Sequence, residues 1–150
     1  MKLFQTMDIS ASALTTQRLR LDVISSNIAN AETTRGRLVN GKWEPYTRKM
    51  IAVESNTGSN FQHVLHGVQN NENNQYGVKV TAIVEDTSPY KKAYQPSHPD
   101  ADENGFVYFP NVDLLAEMID MTAAERAYEA NVTALNSTKS ILMKALEIGK

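Results

Sequence analysis

Cysteine is absent from the 150 residues. That removes disulfides, thiolate metal sites and a cysteine nucleophile together, and it leaves the redox compartment open. No uninterrupted apolar run approaches the about 18 residues that a membrane helix needs, so the chain is not expected to span a bilayer. The start, MKLFQTMDISASAL, has one lysine and then a stretch broken by polar residues instead of the apolar segment of a signal peptide, so any export is expected to follow another route. Aromatics are scarce, with one Trp, six Tyr and four Phe, which predicts a small aliphatic core. Net charge is also small, at -2, and gives no basic face for nucleic-acid phosphates, so nucleic acid is not expected as a partner. The sequence holds no glycine-rich phosphate loop, no Gly-x-Ser-x-Gly turn and no short Ser, His and acid spacing, which leaves only dispersed residues as a source of catalysis, and no cofactor is assigned.

What the chain does carry is an apolar stripe at each end. Positions spaced alternately by four and three run Leu3, Met7, Ser10, Leu14, Gln17, Leu21, Ile24 and Ile28, and six of these eight are apolar. The same spacing gives Leu114, Met118, Met121, Glu125, Tyr128, Val132, Leu135, Lys139, Leu142 and Leu146, with eight of ten apolar. Both are heptad seams. With 41% apolar and 21% charged residues the chain has globular composition and the length of one domain. Two amphipathic helices of one compact domain would satisfy the pattern. A coiled-coil-like pair of termini fits better, because the helices are separated by about eighty residues that read neither as helix nor as a large core.

The middle reads as short strands. Asn40-Gly41 in RLVNGKWE is the signal for a tight hairpin turn between two strands. Pro45 interrupts the second, and YTRKMIAV resumes as an edge-like strand. In GVKVTAIVED, Val78, Val80, Ala82 and Val84 alternate onto one face, and Thr87-Ser88-Pro89 closes the strand. A small half-buried sheet is the expectation. QNNENNQ, 69–75, predicts a solvated mobile loop. Asn111 is the candidate N-cap of the last helix, with Asp113 in its first turn.

Metal-binding candidates are incomplete. Asp100, Asp102, Asn104 and Gly105 of DADENG match four positions of a calcium loop, but Asn111 stands where a bidentate glutamate is required. A capped acidic turn accounts for the motif, and no metal site is assigned. His63 and His66 lie three apart with no third ligand nearby, and read as surface residues, while His98 reads as a loop residue. The basic and aromatic stretches GKWEPYTRK and PYKKAY read as exposed strand faces, since Glu44, Glu85 and Asp86 dilute their charge.

Three stretches carry a family resemblance. MDISASALTTQRLRLDVISSNIANAETT, with its Ser-Asn-x-x-Asn-x-x-Thr ending, resembles the amino-terminal helix of the axial proteins of the bacterial flagellum. AERAYEANVTALNSTKSILMKALEIGK resembles their carboxy-terminal helix, including Arg126-Ala127-Tyr128-Glu129-Ala130-Asn131. SHPDADENGFVYFPNVD narrows the resemblance to the proximal rod. The likeness covers nearly the whole chain, is strongest over 7–34 and 97–148, and is weak between Arg35 and Gln75.

The resemblance implies an α+β fold in which N- and C-terminal helices (1–34 and 111–150) pair as a coiled-coil-like D0 rod core, with a β-rich middle segment at 35–110. It implies a structural subunit of the proximal rod, in the basal body on the periplasmic side of the inner membrane, exported by the flagellar type III system. Implied partners are other proximal and distal rod proteins, the rod-base adaptor, the MS ring and export apparatus, and further copies of itself. The expected assembly interface is Leu14, Leu21, Ile24, Asn27, Ile28 and Asn30 with Met121, Tyr128, Asn131, Val132, Leu135, Leu142 and Leu146. Asn27 and Asn131 each precede a seam residue, so both flank the seam, where a polar amide can fix register at a cost in stability. Asn30 is placed to end its helix and turn the chain outward. Leucine at 27 and 131 is then expected to stabilise the helices and impair assembly, and the termini are expected to be mobile in a dilute monomer. A calcium-binding module and a self-contained helical adaptor are the rival readings.

Overall fold

The computed structural model describes residues 2–39, 41–56 and 77–148. Asn40, the His63/His66 pair and the polar run 69–75 lie outside them. Along the chain come α1 (Lys2–Ala29), β1 (Arg37–Val39), β2 (Lys42–Glu44), β3 (Lys49–Ser55), β4 (Val78–Glu85), β5 (Lys91–Tyr94), β6 (Phe106–Phe109) and α2 (Leu114–Ile148). This is the expected α+β order, a helix at each end of a β-rich middle. Neither helix contains glycine or proline, the two residues that most disfavour a helix interior. Their threonines bond inward along the helix, Thr15 to the Ala11 carbonyl and Thr122 to that of Met118, both at 3.0 Å, so the hydroxyls add no unmet polar group.

Among the described residues the strands form three two-stranded ribbons, β1-β2, β3-β4 and β5-β6, where a small half-buried sheet is expected. Prolines explain the breaks. Pro45 follows β2, Pro89 precedes β5, Pro96 follows β5 and Pro110 follows β6, each removing a ladder donor where a strand would otherwise continue. β1 and β2 are antiparallel with Val39 opposite Lys42, so the expected hairpin forms, and Gly41 in its connection holds φ at 79°. At the base of this hairpin the Gly36 N–H donates to Glu44 O at 2.8 Å. A Cβ there would come within 2.6 Å of the Tyr46 backbone nitrogen, a backbone approach that only glycine permits.

Asp113, not Asn111, caps α2. Its Oδ1 accepts from the Leu115 N–H at 3.0 Å and the Ala116 N–H at 3.5 Å, bringing a negative charge to the positive helix end. Asn111 is occupied elsewhere. Its Oδ1 accepts from the Arg48 N–H at 2.8 Å, and its Nδ2 donates to the carbonyls of Asp86 at 3.3 Å and Ser88 at 3.1 Å.

The chain divides into two compact units, one of Met1–Arg18, Ala52–Ala82 and Glu125–Lys150, the other of Leu19–Ile51 and Ile83–Ala124. In the first, the Ser12 hydroxyl accepts from the Val78 N–H at 3.1 Å and donates to Ile9 O at 2.7 Å, and the Gly77 backbone runs so close that a Cβ would strike Ser12. Val78 and Val80 are half-buried there, but Ala82 is exposed, so the expected alternation holds only for the first half of β4. In the second unit, Val23 and Ile24 of α1, Val107 of β6, Val112 and Ala124 form the aliphatic core. Ile83 and Val84, at the far end of β4, are exposed.

Candidate functional site

The centre of the second unit is polar. Asn27, on the inner face of α1, is 1% exposed. Its Nδ2 donates to the Lys49 carbonyl at 2.8 Å and to Glu117 Oε2 at 3.0 Å. Its Oδ1 accepts from the Tyr46 hydroxyl at 2.9 Å and from the Lys49 N–H at 3.0 Å. Both donors and both lone pairs of the amide are therefore used. Asn27 is buried, not at an exposed margin, because full hydrogen bonding removes the penalty for burying its amide.

Glu117, also 1% exposed, joins α2 to this amide and accepts from Arg48 Nε at 2.6 Å through its other oxygen. Arg48 reaches on to Asp86 Oδ2 at 3.4 Å and Asp120 at 3.7 Å. Partial burial pushes the Arg48 guanidinium down, but the bonds and charges of Glu117 and Asp86 outweigh it and hold it above its ordinary value. Asp86 lies below the usual carboxylate range because the Ser88 hydroxyl and N–H donate to it, with Arg48 adding to the effect against burial. Among the described residues no buried side-chain polar atom lacks a partner. A network satisfied in this way defines one arrangement of helices and strand, since any displaced arrangement strands a buried charge.

Where α1 ends, Asn30 closes the turn with its side chain: Nδ2 donates to Ser26 O at 2.9 Å and Oδ1 accepts from Thr33 Oγ1 at 3.3 Å. Just beyond, Asp100 accepts from Thr34 Oγ1 at 2.8 Å and Arg35 Nε at 2.7 Å, and Arg35 and Thr34 hold its carboxyl below the usual range. The first carboxylate of the DADENG motif thus anchors the start of the middle segment. Gly105, at φ 78°, shapes the turn into β6.

Of the expected interface residues, the second unit holds Leu21 and Ile28 half-buried beside Ile24, with Asn30 and Met121 half-buried too. In the first unit Leu14, Asn131, Val132, Leu135 and Leu142 are half-buried, Tyr128 is 36% exposed and Leu146 is 72% exposed. Asn131 makes one bond, to the carbonyl of Ala127 at 2.8 Å. In the second unit the inward faces carry Val23 and Asn27 beside the seam residue Ile24 on α1, and Glu117 and Ala124 beside the seam residue Met121 on α2, while Leu114 and Met118 of the seam are exposed. Glu117, Arg48 and Tyr46 were not foreseen. The available signal was a carboxylate, Glu117, lying four and seven residues ahead of the inward positions Met121 and Ala124, which reads as a solvated charge until the register is known.

Long terminal helices locked through a buried network of side chains are the build of a structural assembly subunit. Comparison with known proteins agrees at both ends. Residues 7–36 match the family model for the flagella basal body rod protein, and residues 103–148 match that for the flagellar basal body rod FlgEFG protein C-terminal region. Over its full length the chain is similar to the flagellar basal-body rod protein FlgC of Bacillus subtilis, at 52% identity over 151 residues and 100% of both chains. It is 42% identical to the FlgC of Borreliella burgdorferi over 159 residues, covering 99% of this chain and 98% of the relative, and 35% identical to that of Salmonella typhimurium over 150 residues and 100% of both. The chain belongs to the FlgC family of flagellar basal-body rod proteins, structural subunits of the rod. The matched segments coincide with the stretches in which the resemblance was strongest. The calcium-module reading gains no support, and Asp100 is already engaged by Arg35 and Thr34. No helix among the described residues is long and apolar enough to cross a membrane.

Proposed function

We propose that this chain builds the proximal rod by packing its terminal helices against neighbouring subunits, and that it acts by assembly and torque transmission instead of catalysis. One observation carries the reading: α2 leaves large apolar side chains in solvent. In the second unit Leu114, Leu115, Met118 and Ile119 are 50%, 69%, 54% and 61% exposed, and in the first Ile141, Met143 and Leu146 are 55%, 55% and 72% exposed. Covering what each still exposes is worth on the order of 1 kcal/mol, and together they favour association. Leu14, Leu21, Ile28, Met121, Tyr128, Asn131, Val132, Leu135, Leu142 and Leu146 are the proposed contact positions. Ile24 and Asn27 serve from inside by fixing the helices, and Asn30 by directing the chain away from α1. The proposed neighbours are further copies, other rod proteins, the rod-base adaptor and the MS ring with its export apparatus, reached by flagellar type III export.

The test is the pair Leu115→Glu and Ile119→Glu in a motile cell. Both side chains are exposed, so monomer stability should move by less than about 0.5 kcal/mol. Rod assembly and swimming should be lost. Normal swimming with both substitutions in place would overturn the proposal.

A further inference from the structure

Within the second unit, the β1-β2 hairpin and the turn before β6 border a groove of about 530 Å³. Its lining includes three aromatic side chains, Trp43, Tyr90 and Tyr108. Trp43 is the single tryptophan of the chain and is 55% exposed. Its cross-strand partner Leu38 is 58% exposed, so the hairpin offers an uncovered apolar pair of the kind that anchors interfaces. Tyr90 is fixed by a bond between its hydroxyl and Thr47 Oγ1 at 2.7 Å.

Charge identifies the occupant. Four carboxylates line the groove, of which Asp100 is held by Arg35 and Glu44 by Arg37. The other two, Asp102 and Glu103, are exposed, and neither side chain has a hydrogen bond or ion pair among the described residues. They outnumber Lys42, the one cation of the lining. Tyr108 already takes a cation, since Lys92 Nζ lies 5.2 Å from its ring centroid. We infer that this groove docks an arginine-bearing segment of a neighbouring rod subunit, its guanidinium stacked on Trp43 and paired with Asp102 and Glu103. Arginine suits the site better than lysine because its plane stacks on an aromatic face and its fork of donors spans two carboxylates.

The inference rests on the rod reading for the source of the segment and adds the chemistry of one contact. It is tested on the purified full chain. The probe is the blocked hexapeptide Gly-Gly-Arg-Arg-Gly-Gly, and the readout is the fluorescence of Trp43. A saturable, salt-weakened change is expected. Its midpoint should rise by about tenfold or more when citrulline replaces both arginines, and likewise in the Asp102→Asn, Glu103→Gln variant, as expected for losing two ion pairs and a stacked cation. Absence of a saturable change, or an equal response from the citrulline peptide or from the double variant, would overturn the inference. Because binding is read on the isolated chain, its failure leaves the Leu115 and Ile119 motility test standing, and failure of that test leaves the titration standing.

Discussion

The two units share the same helices yet differ in what they bury. Every fully buried described residue except Thr16 belongs to the second unit. There the core is part aliphatic and part ionic, with Val23, Ile24, Val107, Val112 and Ala124 beside Asn27 and Glu117. The first unit is held among its described residues by lighter devices, such as the Ser12 hydroxyl on Val78 N–H and half-buried aliphatics. One stretch of each helix is thus locked by a buried network and the other is not, while α2 leaves apolar surface to cover in both units. A subunit divided in this way can keep one end fixed and complete the other on joining its neighbours.

The largest test of that contrast removes Glu117. Glu117→Ala would leave Arg48 and one donor of Asn27 without their buried partner, and the second unit should lose about 3 kcal/mol in urea unfolding followed by circular dichroism. A loss below about 1 kcal/mol would show that the network does not distinguish the units. Asn27→Leu follows, at about 2–3 kcal/mol, since it strands the Lys49 backbone and Glu117. The same change at Asn131 removes one intrahelical bond on a half-buried site and should be neutral or slightly stabilising. That asymmetry replaces the equivalence that the heptad pattern suggested for the two asparagines.

Hydrogen exchange on the dilute chain sharpens the comparison along single helices. Residues 19–29 and 114–124 should be protected at least about tenfold more than 4–18 and 125–147, corresponding to a local opening difference above about 1.4 kcal/mol. Uniform protection would show that the helices already satisfy each other and that the subunit joins the rod prefolded. Acid should act on the second unit first. Asp86 and Asp100 both titrate below the ordinary carboxylate value, so the stability they contribute is present above about pH 4 and lost as pH falls through their lowered values. Asp100→Asn should flatten the acid limb of the unfolding midpoint below about pH 4. The smallest effect belongs to the first unit: Ser12→Ala should cost about 1 kcal/mol and raise exchange at Val78 alone.

Much of this architecture was legible in the sequence because it is local. Glycine- and proline-free termini with apolar periodicity gave helices, and Asn40-Gly41 gave a hairpin. The polar centre was not legible. Asn27 meets Lys49 across 22 positions, Arg48 meets Glu117 across 69, and Asn27 meets Glu117 across 90. Periodicity ranks positions by hydrophobicity, so an amide and a carboxylate whose burial depends on distant partners are assigned to the surface. The capping of α2 failed for a related reason, since Asn111 has three distant backbone partners that outcompete the helix end.

The amide of Asn27 takes both the N–H and the C=O of Lys49, while the carbonyl of Arg48, one residue earlier, accepts from Asp86 on the opposite side. At Lys49 the asparagine does for β3 what a residue of an adjoining strand would do. A helix side chain thereby closes an open sheet edge, so that a subunit rich in short ribbons withholds one of its sticky margins from other chains on the way to its place.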